Sequence, residues 1–162
     1  MLVEIRKALS SDNDDIWQII RPIIAAGDTY VFSPDSPKDK MLGFWMAEDK
    51  HTYVALVDNC IAGTFFIKDN QPDLGSHIAN AGYMTLLAAS GKGIGTAMAE
   101  FSIEEARRLG YKAMQFNIVI KTNQTAISLW KKLGFEIIGE IPDAFRYLQK
   151  EFTNAYIMYR KL

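Results

Sequence analysis

The feature that most limits how this chain can fold is the string Ser90-Gly91-Lys92-Gly93-Ile94-Gly95-Thr96, set between a β-rich run and an amphipathic helix. Ahead of it HIANAGYMTLL (77–87) reads as a strand. Behind it Ile94 to Leu109 carries helical spacing and stops at Gly110, and KAMQFNIVI (112–120) returns to β texture. A strand, a crossover helix and a second strand in that order call for parallel pairing and a right-handed connection. Glycines let the turn bend tightly and approach a ligand without side-chain obstruction. The first helical turn offers unpaired N–H groups and the positive end of its dipole, so the string reads as a phosphate site to which Lys92 adds charge. It lacks the G-x-x-x-x-G-K-[ST] pattern, and Met98 stands where a dinucleotide fingerprint wants glycine or alanine. Taken alone, it favours a phosphate site only slightly over a turn that binds nothing.

The remaining elements read one by one. LVEIRKA (2–8) alternates as a strand, and the polar run Ser11 to Asp15 suits the start of a helix through Pro22 into Ile24. GDTYVFSPDSPKDKM (27–41) is a long connection suited to shaping a substrate mouth, after which MLGFWMAED (41–49) resumes helical spacing. HTYVALV (51–57) and CIAGTFFIK (60–68) form a hairpin around Asp58-Asn59, and KDNQPDLGS (68–76) is a loop. Gly82 hints at a bulge in the third strand. A helix from Asn123 to Leu133 stops at Gly134; FEIIGEI (135–141), a loop PDAFRYLQKEFT (142–153) and a last strand NAYIMYRKL (154–162) complete an α/β chain with a mixed sheet.

With 162 residues, 49% of them hydrophobic, one domain covering 1–162 is expected. Eighteen basic against nineteen acidic residues leave a net charge of -1, no footprint for nucleic acid or an anionic membrane, so the expected partner is a small molecule. Cys60 is the only cysteine and reads as a small strand hydrophobe. Neither a signal-peptide plan nor an apolar run near the roughly 20 residues of a membrane span is present, so a cytoplasmic location is expected. No Cys/His cluster has ligand spacing, and no metal is expected.

A second string decides what the glycine turn is for. Asn123-Gln124-Thr125-Ala126-Ile127-Ser128-Leu129-Trp130-Lys131-Lys132-Leu133-Gly134-Phe135 resembles the N-x-x-A-x-x-L-Y-x-x-x-G-F element of the GCN5-related N-acetyltransferases (GNAT), and the glycine turn resembles their [RQ]-x-x-G-x-G element, in family order and separation. The resemblance covers nearly the whole chain. It implies an α/β GNAT fold: a single mixed, mostly antiparallel sheet of about seven strands flanked by about four helices, with acetyl-CoA in a gap between the two central parallel strands. The pyrophosphate would lie on Ser90, Gly91, Lys92, Gly93, Ile94, Gly95 and Thr96, and the pantetheine arm would pair with backbone at Met84, Thr85 and Leu86. HIANAGYM and MQFNIVIKTN are similar to the branch containing fungal proline-analogue acetyltransferases, which implies that Asn80 and Asn117 hold substrate and Asn123 the cofactor arm. Bonds to a neighbouring loop are the alternative for Asn80 and Asn117, and helix N-capping for Asn123.

Ser90 and Trp130 depart from the family pattern. Serine replaces arginine or glutamine at the pyrophosphate, and an indole N–H at 130 cannot act as the acid that the family's tyrosine supplies; Trp130 would bind the cofactor by stacking on the pantetheine or donating to its sulfur, or else be a core aromatic. No base is evident. Tyr30, which would close over the substrate, His77 and Tyr83 are the candidates for chemistry near the substrate, a backbone N–H of Tyr83 or Met84 for the oxyanion, and Arg146 for a substrate carboxylate; the alternatives are a surface position for His77, core positions for the tyrosines and a solvated loop charge for Arg146. The expected function is acetyl transfer from acetyl-CoA to the amine of a small molecule, an amino acid or proline-like compound among them, by direct attack in a ternary complex. The alternatives are a non-catalytic acyl-CoA sensor and a protein N-terminal acetyltransferase. Family habit adds a homodimer formed through sheets or last strands.

Overall fold

The computed structural model describes residues 2–162. One seven-stranded sheet runs in the order β1-β2-β3-β4-β5-β7-β6. Its strands are β1 (Glu4–Lys7), β2 (Lys50–Val57), β3 (Cys60–Asp69), β4 (Ile78–Thr85), β5 (Ala113–Ile120), β6 (Glu136–Tyr147) and β7 (Glu151–Lys161). Four helices, α1 (Asn13–Ala26), α2 (Lys38–Trp45), α3 (Ile94–Arg108) and α4 (Gln124–Lys132), complete it. β4 and β5 pair in parallel and the other neighbours antiparallel. No described helix is long and apolar enough to cross a membrane.

Strand alternation divides the core. Phe65, Ile67, Ala79, Met114 and Phe116 face α3 and α4, where Ile94, Met98, Ile103, Ile127 and Trp130 meet them. Val54, Phe66 and Met84 face the opposite way, onto Ile16, Ile19 and Ile20 of α1 and Met41 and Trp45 of α2. Trp45 is anchored through its ring N–H to the Thr64 hydroxyl (2.9 Å), which donates in turn to the Tyr53 carbonyl (2.9 Å). At the entrance to α1 the buried Asp12 carboxylate receives two Arg6 N–H bonds (2.8 and 2.9 Å) and the Leu9 N–H (2.7 Å). The Arg6 bonds hold it below the usual carboxylate range.

Turn chemistry works where expected. Asp58 and Asn59 both take positive φ (49° and 62°), the signature of a two-residue hairpin turn. Three expectations are corrected. Gly82 makes no bulge: it sits opposite Phe66 in unbroken register, and a Cβ there would lie 2.8 Å from the Phe66 ring. The glycine makes room for an aromatic. Residues 142–153 are mostly strand, because β6 and β7 continue as a long hairpin in which a register shift between Ile141 and Phe145 absorbs Pro142 on the edge strand. Helix α2 starts at Lys38, directly after Pro37, earlier than its apolar spacing indicated. Cys60 lies exposed beside the hairpin turn.

Candidate active site

The parallel pairing of β4 with β5 is short. Ile78 pairs with Ala113 and Ala79 with Met114; beyond them the strands run on to Thr85 and Ile120 without pairing. β5 contributes to the separation, because one extra residue between Phe116 and Val119 shifts its register against β7 and carries Asn117 and Ile118 into the gap. The result is a cleft of about 610 Å³ lined by both strands, by Tyr30 and Phe32 of the α1–α2 connection, and by Asn123, Leu129 and Trp130.

Antiparallel alternation shows which backbone groups face it. Hydrogen bonds from Leu86 N–H to Ala62 C=O (2.8 Å) and from Asn70 N–H to Ile78 C=O (2.8 Å) make the even residues of β4 the ones bonded to β3. Ala81, Tyr83 and Thr85 therefore turn their N–H and C=O toward the gap. The expected pantetheine contacts are corrected accordingly: Thr85 fits, whereas the Met84 backbone and the Leu86 N–H are turned to β3, the Leu86 C=O accepts the Ala89 N–H (2.9 Å), and Met84 offers no N–H for an oxyanion. The N–H of Ala81 is taken by its neighbour's Asn80 Oδ1 (2.7 Å). The Tyr83 N–H donates to the Tyr30 hydroxyl (2.8 Å), which donates to the Tyr83 C=O (2.6 Å).

Helix α3 begins alongside. Gly91 and Gly93 take positive φ (76° and 79°) with open space where a Cβ would be. No side chain caps the helix, and Ala97 has the first N–H to reach a helical carbonyl, that of Gly93 (3.0 Å). The N–H groups of Ile94, Gly95 and Thr96 are thus left at the positive end of the dipole. A Cβ at Gly95 would lie 3.9 Å from Thr85 Oγ1, so this helix end adjoins the open backbone of β4. Ser90 and Gly95 line the cleft; Gly91, Lys92 and Gly93 are exposed at its rim, and Ile94 is a core residue.

The structure brings Asn80 and Asn117 to the same cleft. Asn117 Nδ2 donates to Asn70 Oδ1 (2.8 Å) and its Oδ1 accepts from Gln115 Nε2 (3.0 Å), an amide chain across the end of the gap. Asn70 was hidden in a polar loop, where nothing in sequence separated it from its neighbours. Asn123 accepts the Ala126 N–H (3.2 Å) as the N-cap of α4 while lining the cleft. Trp130 is 8% exposed and packs on Phe116 (4.4 Å) and Tyr83 (5.0 Å); no described residue accepts its ring N–H.

Two catalytic candidates take their alternative positions, at the surface and in the core. His77 is exposed in the turn before β4, outside the cleft. The Tyr83 side chain points into the α3 face, its hydroxyl bonded to Ser102 Oγ (2.7 Å), and only its backbone serves the gap. Burial pushes the Tyr30 and Tyr83 hydroxyls well above the usual phenol range, so both remain protonated donors. Arg146 lies on a separate cavity of about 240 Å³ behind the Tyr30–Phe32 loop. Among the described residues, no Asp, Glu, His, Lys or Arg lines the main cleft.

A half-open parallel pair beside an uncapped, glycine-led helix is an arrangement for an extended, phosphate-bearing ligand. The sequence matches the Acetyltransferase (GNAT) family over residues 15–135. Structurally the chain superposes on a GCN5-related N-acetyltransferase from Kribbella flavida with a TM-score of 0.93 and 34% identity, covering 99% of this chain and 98% of that one. It is 40% identical over 98 residues to N-acetyltransferase aca1 of Schizosaccharomyces pombe, a match spanning 60% of this chain and only 47% of that curated relative. A phosphinothricin acetyltransferase from Sinorhizobium meliloti, solved in complex with AcCoA, shares the fold at a TM-score of 0.89 and 20% identity, covering 100% of this chain and 89% of that one. The chain belongs to the GNAT family.

Proposed function

We propose that residues 1–162 act as one acetyltransferase domain that uses acetyl-CoA to acetylate the amine of a small molecule. The observation that carries this reading is the continuity of the open β4 backbone with the uncapped start of α3. Thr85 supplies a strand edge for an amide-bearing arm, and the N–H groups of Ile94, Gly95 and Thr96 supply a seat for the pyrophosphate that does not depend on the side chain at Ser90. When bound, acetyl-CoA provides an acetyl thioester whose thiol is already a good leaving group. Trp130 therefore needs to donate no proton; it packs the wall beside the arm.

Asn80 and Asn117 hold the acceptor from the opposite end of the gap. An uncharged cleft disfavours an ammonium ion, so the amine enters neutral or passes its proton to water. The test is thiol release from acetyl-CoA by the purified protein over amino acids, proline analogues, polyamines and short peptides, repeated with Asn80→Ala. Turnover on one class, reduced in the variant, supports the reading; binding without turnover on every class would leave an acyl-CoA sensor.

A further inference from the structure

Of the three β4 positions that face the gap, Tyr83 has both backbone groups held by one side chain. The Tyr30 hydroxyl accepts its N–H at 2.8 Å and donates to its C=O at 2.6 Å, the place a paired strand would otherwise fill. The aim of this hydroxyl is built by several elements. Gly27 ends α1 with φ 67°, and its carbonyl receives the Leu148 N–H (2.9 Å) from the β6–β7 hairpin, which fixes where the loop to Tyr30 begins. The Tyr30 ring stacks on Phe32 (6.2 Å) and meets Trp45 edge-on (6.3 Å). Gly82 leaves space beside its oxygen, where a Cβ would stand 3.5 Å away.

An oxygen within hydrogen-bond reach of a strand N–H at the mouth of a gap marks where a ligand oxygen would bind. We propose that Tyr30 is a catalytic donor: the acyl oxygen takes the Tyr83 N–H, and the Tyr30 hydroxyl, turned off the Tyr83 C=O, donates to that oxygen from its other side. This inference rests on the acetyl-transfer reading of the same cleft. As the amine lone pair forms the C–N bond, the carbonyl π pair moves onto oxygen, and Tyr83 N–H and Tyr30 O–H hold the developing charge. Its return breaks the C–S bond, the sulfur leaves as thiolate, and the proton of the amine passes to water. The vacated Tyr83 C=O then accepts an N–H of the incoming amine and holds its nitrogen beside the acyl carbon.

The test combines kinetics with isotope-edited infrared spectra of acetyl-CoA labelled with 13C at the thioester carbonyl, bound in the absence of acceptor, with binding followed by calorimetry. In the parent protein the bound carbonyl band falls below that of free acetyl-CoA. In Tyr30→Phe it returns part of the way and kcat drops by about 10²-fold with little change in the KM for acetyl-CoA. Replacing Tyr30 by 3-fluorotyrosine keeps the shape and hydroxyl but makes a stronger donor, and moves the band further down; it carries the test if the phenylalanine variant melts early. A band that binds but does not respond to residue 30 overturns the role of Tyr30 and leaves acetyl transfer standing. If the parent protein does not bind acetyl-CoA at all, both fall.

Discussion

Gly82→Ala separates a glycine needed for space from one needed for backbone freedom. Its backbone is ordinary strand, so alanine carries no conformational penalty there and gains about 0.4–1 kcal/mol by restricting the unfolded chain. The added Cβ, however, lies 2.8 Å from both Cε1 and Cζ of Phe66, about 0.6 Å inside the shortest ordinary carbon contacts. That ring is 6% exposed and fixed edge-on by Trp45 at 4.9 Å and Phe44 at 5.8 Å, so it cannot withdraw without moving them. Overpacking of this kind costs about 1–3 kcal/mol; at the middle of that range the net loss is about 1.3 kcal/mol, or roughly 3–5 °C in Tm for a domain of this size. Urea and thermal denaturation of the parent, Gly82→Ala, Phe66→Leu and the double variant make a closed cycle. Truncating the ring relieves the overlap, so the two changes should couple favourably by at least about 1 kcal/mol. A Gly82→Ala protein as stable as its parent, or an additive cycle, would refute the close approach as the reason for glycine.

Asp12→Asn should lower stability by about 1–2 kcal/mol at neutral pH, a figure reduced because Arg6 is partly exposed. The Asp12 carboxyl is held below its usual range in the fold, so this contribution is complete above that range and gone once pH falls through the depressed value; urea midpoints of parent and variant should converge in acid. With Tyr30 the one titratable side chain among the described residues that reaches the cleft, kcat/KM should rise about tenfold per pH unit up to the pKa of the acceptor amine. That break should move when an acceptor of different basicity is used, whereas one near pH 7 common to all acceptors would reveal a base on the protein. Asn117→Ala should raise the acceptor KM by about tenfold and leave that of acetyl-CoA unchanged, since it frees Asn70 and Gln115 at the far end of the gap.

Most of the fold was legible because its signals are local. Asp58-Asn59 announces a hairpin through its tolerance of positive φ, and Gly110 and Gly134 end helices by the same property. The parallel unit follows from element order alone. Misreadings arose where a local signal had two physical causes. Glycine in a strand marks either a bulge or a close neighbour, and only Phe66, from another strand, decides for Gly82. Pro142, with Asp143 at φ 50°, reads as a loop until the irregular pairing of an edge strand is seen to accommodate both. The face of each β4 residue was readable from alternation, but its hydrogen-bonding side was not. That side depends on the register with β3, and it is what assigns Thr85 to the gap and Met84 to the sheet.

The two ends of the cleft differ in how much substitution they can absorb. At the end proposed for the pyrophosphate, the donors are backbone N–H groups whose direction is set by Gly93 and the start of α3, so serine at position 90 removes one side chain and leaves the seat in place. At the end proposed for the acceptor the polar groups come from separate elements: Asn80 from β4, Asn117 from the bulged β5, Asn70 from the β3–β4 turn and Tyr30 from the α1–α2 connection. Asn70 and Asn117 hold each other, and Asn80 and Tyr30 are bonded to the β4 backbone, so each has its direction set by one or two bonds that a substitution would remove. Variation near the helix start should therefore alter affinity for acetyl-CoA in small steps, whereas a single change among the amides or at Tyr30 should change which amines are accepted or how fast they react.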